Sequence, residues 1–199
     1  DYAFDSRFGY LTCCPTNMGT GMRASVMVHL PALTMSGNIN SIIDSLSQLG
    51  MTVRGIFGEG SKASGNIYQI SNQTTLGDTE ENILERFEQV VTEVIDKERE
   101  LRRRMYTSDK YKLEDRLMRS FGTLTNAVII SSSEAMNRLS DVRFAVELGI
   151  ISNIGYSQLN EAMYEVLPAN IIKKYNTADA GERDLKRAEV VREVLLGKK

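Results

Sequence analysis

Apolar residues recur every three or four positions along residues 83–95, at Ile83, Leu84, Phe87, Val90, Val91, Val94 and Ile95. That spacing draws one apolar stripe down a long helix. Thr79, Glu80 and Glu81 open the run, and Arg102, Arg103 and Arg104 are expected to end it. Acid at the start and base at the end complement the helix dipole. The pattern upstream is different. Short β-branched and apolar stretches at Phe8–Thr12, Arg23–Leu30, Met51–Phe57 and Asn66–Ser71 read as strands, with Pro31 closing the second. Asn38–Leu49 has helical spacing and is stopped by Gly50. Gly58–Gly65 holds three glycines and no large apolar residue, so a mobile loop is expected there. Downstream, helices are expected over residues 108–130 (bent at Gly122), 133–148 (capped by Ser132 or Ser133), 158–167 (broken by Pro168) and 179–196. The fold class is therefore α+β: an antiparallel sheet covered by helices, followed by an all-helical C-terminal region.

Composition narrows the function classes. Of the 199 residues, 42% are hydrophobic and 25% charged, the balance of an ordinary globular chain. A formal net charge of −2 argues against a strongly basic nucleic-acid binder. The two cysteines, Cys13 and Cys14, are adjacent, and neighbours seldom bridge each other. Free thiols in a reducing compartment follow, and Cys13 is expected to pack within a strand. No apolar run is long enough for a bilayer and no signal peptide opens the chain, so no membrane partner and a cytoplasmic location are expected. The chain starts at Asp1 almost inside a strand, which reads as a piece of a longer protein.

Two familiar phosphate-binding patterns fail on inspection. Gly55 to Gly60 has P-loop spacing, but Ser61-Lys62 reverses the order such a loop needs. Gly58, Gly60 and Ala63 imitate a dinucleotide fingerprint, yet a strand follows where a helix is required. The informative blocks lie elsewhere. Cys14-Pro15-Thr16-Asn17-x-Gly19-Thr20-Gly21-x-Arg23 comes first, then Val53-Arg54-Gly55-Ile56-Phe57-Gly58-Glu59, then Ser71-Asn72-x-x-x-Leu76-Gly77. In this order and spacing they resemble the phosphagen (guanidino) kinase family, over roughly residues 9–100.

That resemblance implies the following. Residues 1–100 would be the C-terminal part of a guanidino kinase catalytic domain. The phosphoryl donor would be ATP with Mg, and no metal-ligating side chain is assigned. Arg23 and Arg54 would present rigid two-pronged donors to phosphate oxygens, which lysine matches less well. Arg23, Ala24, Ser25, Val26 and Met27 would line the nucleotide with Arg54, Gly55, Ile56, Phe57, Gly58 and Glu59. Cys14 would stand beside the guanidinium substrate, where a thiolate stabilises the cation; Asn17 is a lesser candidate. His29, the only histidine, receives no role. The carboxylate base of the family sits in an Asn-Glu-Glu-Asp-His type segment that this sequence lacks, as it lacks the Ser-Ser-Arg-type phosphate segment. The 199 residues alone are therefore expected to bind ATP weakly and transfer phosphate poorly or not at all.

Within the family, Arg23-Ala24-Ser25 after the Gly-Thr-Gly turn is similar to the McsB-type protein arginine kinases, where small-substrate kinases carry Arg-Gly-Gly. Arg183-Asp184-Leu185-Lys186-Arg187-Ala188 resembles that branch's RDxxRA motif. By this resemblance residues 101–199 form a helical domain that binds phosphoarginine through Arg183, Asp184, Arg187 and Ala188. Arg183 and Arg187 are four apart and share a helix face, so two prongs could hold a phosphate while Asp184 reads the guanidinium. On spacing alone, a solvated face of mixed charge explains them far better, because charged pairs four apart are common, and it is the resemblance that reverses this. The resemblance further implies protein substrates bearing arginine, an activating adaptor, a heat-shock transcriptional repressor, the Clp protease machinery, a homodimer and allosteric control in a stress response. Two other functions compete: a non-catalytic phosphoarginine-binding module, and a small-molecule kinase of free arginine.

Overall fold

The computed structural model describes residues 2–55 and 63–197. By its internal contacts the chain divides into two compact units, residues 1–63 with 67–103, and residues 64–66 with 104–199.

The first unit is α+β. A short hairpin of β1 (Phe4–Asp5) and β2 (Gly9–Tyr10) opens it, followed by a 3-10 turn at Pro15–Asn17. A three-stranded antiparallel sheet follows, built from β3 (Ser25–His29), β4 (Met51–Gly55) and β5 (Ile67–Asn72) in the order β3-β5-β4. Strand β5 is central, pairing Val26 with Ile70 on one side and Val53 with Ile70 on the other. Side chains alternate between the faces of a strand, and cross-strand partners share a face. Val28, Met51, Tyr68 and Ile70 thus point into one core with Val26 and Val53 beside them. Helix α1 (Pro31–Met35), α2 (Ile39–Gln48) and α3 (Glu80–Ser108) cover that face with Leu33, Ile39, Leu46, Phe87, Val90, Val91 and Val94. Each large side chain so buried contributes about 1.5–3 kcal/mol. The opposite face carries Ser25, Met27, Thr52, Arg54, Gln69 and Ser71.

Three sequence expectations need correction here. Pro31 does not merely close a strand: it opens α1, where its missing N–H is no loss. The arginines at 102–104 do not end α3, which continues to Ser108. Arg102 is mostly buried and tied to Glu98 at 2.6 Å. Cys13 is exposed and belongs to no strand, because β2 ends at Tyr10.

The second unit is all-helical: α4 (Lys110–Asn126), α5 (Ser132–Glu147), α6 (Tyr156–Glu165), α7 (Pro168–Tyr175) and α8 (Ala180–Leu196). Its core holds Leu117, Leu124, Met136, Leu139, Phe144, Leu159, Val166, Ile171 and Val190. Helix α5 is capped by Ser131, whose Oγ accepts from the Glu134 N–H, one residue ahead of the expected cap. Pro168 breaks one helix and, at a first-turn position, starts α7, an element the sequence pattern did not announce. No described helix is long and apolar enough to cross a membrane.

Candidate functional site

The polar face of the sheet, opposite the core, is laid out in rows. Ser25, Ser71 and Thr52 form one, and Met27, Gln69 and Arg54 the next. Arg23 lies just ahead of β3, and its Nη2 donates to Ser71 Oγ at 2.9 Å. The Arg23 guanidinium is thereby fixed to the row adjoining that of Arg54. Strands spaced about 4.8 Å apart and a two-residue step of about 7 Å put the Cα atoms of Ser71 and Arg54 about 8 Å apart.

The third sequence block acts as the clamp. Asn72 is buried, and its Oδ1 accepts from the Ala24 N–H at 2.8 Å. Its Nδ2 donates to Met22 O at 3.1 Å and Thr74 O at 3.2 Å. One amide side chain thus grips the main chain on both sides of Arg23. Thr75 does the same for the 3-10 turn, its Oγ1 bonding to Thr16 O at 3.0 Å and Met18 O at 2.7 Å. Gly19 closes against it with φ +106°, and a Cβ there would stand 2.3 Å from Thr75 O. Only glycine fits such an approach. Ser71, Asn72 and Thr75 received no role from the sequence alone. The signal was there: a polar Ser-Asn pair ending the strand.

Cys14 begins the turn, exposed, with its Sγ 2.9 Å from Thr16 Oγ1. Hydrogen bonds from the Thr16 hydroxyl and then from its backbone hold the thiol below its ordinary pKa. Asn17 ends the same turn, also exposed.

Alternation sorts the expected nucleotide-lining residues. Ser25 and Met27 occupy the polar face, and Met27 is 47% exposed, an apolar surface suited to a base. Ala24 and Val26 pack against the core, so their side chains are turned away from that face. Gly55 ends β4, buried. Ile56, Phe57, Gly58 and Glu59, and the loop expected to be mobile as far as Lys62, lie outside the described residues. A separate cleft of about 420 Å³ lies between the β1–β2 hairpin and the start of α3, lined by Phe4, Phe8, Tyr10, Leu76 and Thr79 among others.

In the second unit, Arg183, Asp184, Arg187 and Ala188 all fall on α8, whose start is capped by Asp179. They do not present two open prongs. Arg183 is partly exposed and donates to Ala178 O. Arg187 is 1% exposed, donating through Nε to Val166 O at 2.8 Å and through Nη1 to Ile130 O at 3.0 Å and to Asp184. Ala188 is buried in the helical core.

Comparison with known proteins is consistent with both units. Residues 1–101 match the family model of the ATP:guanido phosphotransferase C-terminal catalytic domain, and residues 110–199 that of the protein-arginine kinase McsB C-terminal domain. A protein-arginine kinase of Syntrophomonas wolfei is 53% identical over 98% of this chain and 55% of its own length. One of Clostridium kluyveri is 50% identical over 98% of this chain and 57% of its own. The chain thus spans only a little over half the length of these relatives. A crystal structure of lombricine kinase is also similar, 36% identical over 51% of this chain and 27% of that one, with a TM-score of 0.46. With a family model spanning the whole sheet-bearing half, and relatives at least 50% identical across nearly all of its residues, the chain belongs to the ATP:guanido phosphotransferase family.

Proposed function

We propose that the protein containing this chain transfers the γ-phosphoryl group of ATP to arginine side chains of proteins, and that this chain supplies the wall of the site that grips the triphosphate. The observation that carries the reading is the placement of Arg23 and Arg54 in adjoining rows of the polar sheet face, the first anchored by Ser71. Phosphoryl transfer asks little covalent chemistry of the protein and much alignment and positive charge. Two guanidiniums, that of Arg23 anchored by Ser71, would supply both, Met27 offers a surface for the base, and the exposed, acidified Cys14 thiol offers negative charge to a guanidinium acceptor. Mg²⁺, which is commonly held by substrate phosphates with few protein ligands, would arrive on the nucleotide.

An acceptor guanidinium has a pKa above about 12 and must lose a proton to a carboxylate. In the family that carboxylate lies in an Asn-Glu-Glu-Asp-His type segment, which this sequence lacks. We assign the base to polypeptide outside these 199 residues. The second unit, by its likeness to the McsB C-terminal domain, would dock phosphoarginine at the first turns of α8. Arg183 and the helix N-terminus both favour a phosphate there.

The test offers labelled ATP to the chain alone, and to the chain joined to the amino-terminal portion of a relative, with either an arginine-bearing protein or free arginine as acceptor. The joined form should label protein arginine, and the chain alone little of either. Equal turnover by the chain alone contradicts the division of the site. Preference for free arginine contradicts the protein acceptor.

A further inference from the structure

We propose that Arg187 is a positioning residue of the phosphoarginine site: it sets the Asp184 carboxylate and does not touch the ligand. This rests on the reading of α8 just given, and it reassigns one of the two arginines that the sequence spacing offers as phosphate prongs.

Arg187 is buried to 1% exposure, whereas the Asp184 side chain is 31% exposed. Two of the three guanidinium nitrogens, Nε and Nη1, are committed inward. Its Nε donates to Val166 O, the carbonyl of the residue that caps the C-terminus of α6, where helices leave acceptors unpaired. Its Nη1 donates to Ile130 O, in the segment between α4 and α5, and also to Asp184 Oδ1. Ile130 in turn donates its own N–H to Asp184 O at 3.2 Å. Ile130, Asp184 and Arg187 therefore close a ring of hydrogen bonds that fixes the carboxylate against α8 from a neighbouring segment. A phosphate that drew Nε or Nη1 away would leave a buried main-chain carbonyl unpaired, and the 1% exposure leaves the side chain little surface to offer a ligand.

The ring also answers an electrostatic difficulty. A carboxylate beside a phosphate repels it, and a buried cation at its back offsets that repulsion. Arg183, partly exposed and one residue before Asp184, is left as the phosphate reader. The exposed side of Asp184 is left as the guanidinium reader. Inorganic phosphate should then feel Arg183 alone, while phosphoarginine should feel Arg183 and Asp184.

Calorimetric titration of the 199-residue chain with phosphoarginine and with inorganic phosphate tests this, using R183Q, D184N and R187K with thermal melts of each. R183Q should weaken both ligands about ten-fold or more, the loss of one charge-assisted contact. D184N and R187K should weaken phosphoarginine by a similar factor and leave inorganic phosphate unchanged. If R187K weakens inorganic phosphate as R183Q does, Arg187 is a direct phosphate ligand and the proposal falls. If R187K lowers the melting temperature but moves neither affinity, its role is structural only and the proposal also falls. A wild-type chain that binds no phosphoarginine overturns the site reading itself, and the proposal with it. Should R187K not fold, NMR of the arginine Nε–H groups in the wild type decides. The Arg187 signal should stay unperturbed on adding inorganic phosphate while that of Arg183 moves, and a shift of the Arg187 signal as large as that of Arg183 overturns the proposal.

Discussion

Cys14 shows how one local contact sets reactivity. The Thr16 hydroxyl and then its backbone amide favour the thiolate, and they outweigh the opposing effect of desolvation on this exposed thiol. The folded pKa lies below that of an ordinary cysteine, so the thiolate appears at lower pH. Removing the hydroxyl should reverse part of that. In T16V the pH profile of alkylation by iodoacetamide should move to higher pH, while the maximal rate at high pH stays close to that of the wild type. A profile that does not move would mean that the Thr16 side chain leaves the thiol untouched. The motif pointed to Cys14 but not to Thr16 as its partner, because a two-residue contact through a 3-10 turn has no periodic signature. Asn72 escaped notice for a related reason. Its work is to hold main-chain atoms some fifty residues away, at Met22 and Ala24, and no local pattern announces a long-range clamp.

Among elements, α3 carries more than its apolar stripe. Glu98 is 2% exposed, with Oε1 accepting from Ala32 N and Oε2 from Leu33 N, both at 2.9 Å. Arg102 binds the same carboxylate and donates through Nη2 to His29 O at 2.8 Å. The pair thus caps the start of α1 and ties off the end of β3, the strand that follows Arg23. Removing one partner of a buried pair leaves the other uncompensated, so E98A should cost about 3–5 kcal/mol in a denaturant melt. A loss under about 1 kcal/mol, the worth of a surface pair, would contradict the role. The stripe from Ile83 to Ile95 made α3 legible, and the same 3.6 period located α2, α4, α5, α6 and α8 to within a few residues. The period could not say where α3 stops, because Arg102 reads as a terminal charge yet is held by a carboxylate one turn back. Both helices that the pattern missed, α1 and α7, begin with proline. A proline that ends one element can equally open the next.

Across the whole chain, the proposed function gives the sheet-bearing unit the task of gripping ATP and the helical unit that of reading phosphoarginine. The α+β class was legible because strand-like runs and helical stripes occupy different stretches of sequence. The candidate site was legible as residue types in order, Arg23, Arg54 and Cys14, but not as geometry. Strand order β3-β5-β4 follows from no local signal, and it is the central position of β5 that brings Arg23 and Arg54 to adjoining rows. The same blindness made Arg187 look like a surface prong, since spacing records a helix face but not what packs against it.

The central claim is that these two arginines grip one triphosphate, and titration of ATP against the chain carrying R23Q, R54Q or both tests it most directly. Each single change should weaken binding by about ten-fold or more, which is about 1.4 kcal/mol. The double change should lose less than the sum of the two, because groups that share one ligand couple. Unaltered ATP affinity in either single variant, with the fold intact by circular dichroism, would contradict the account.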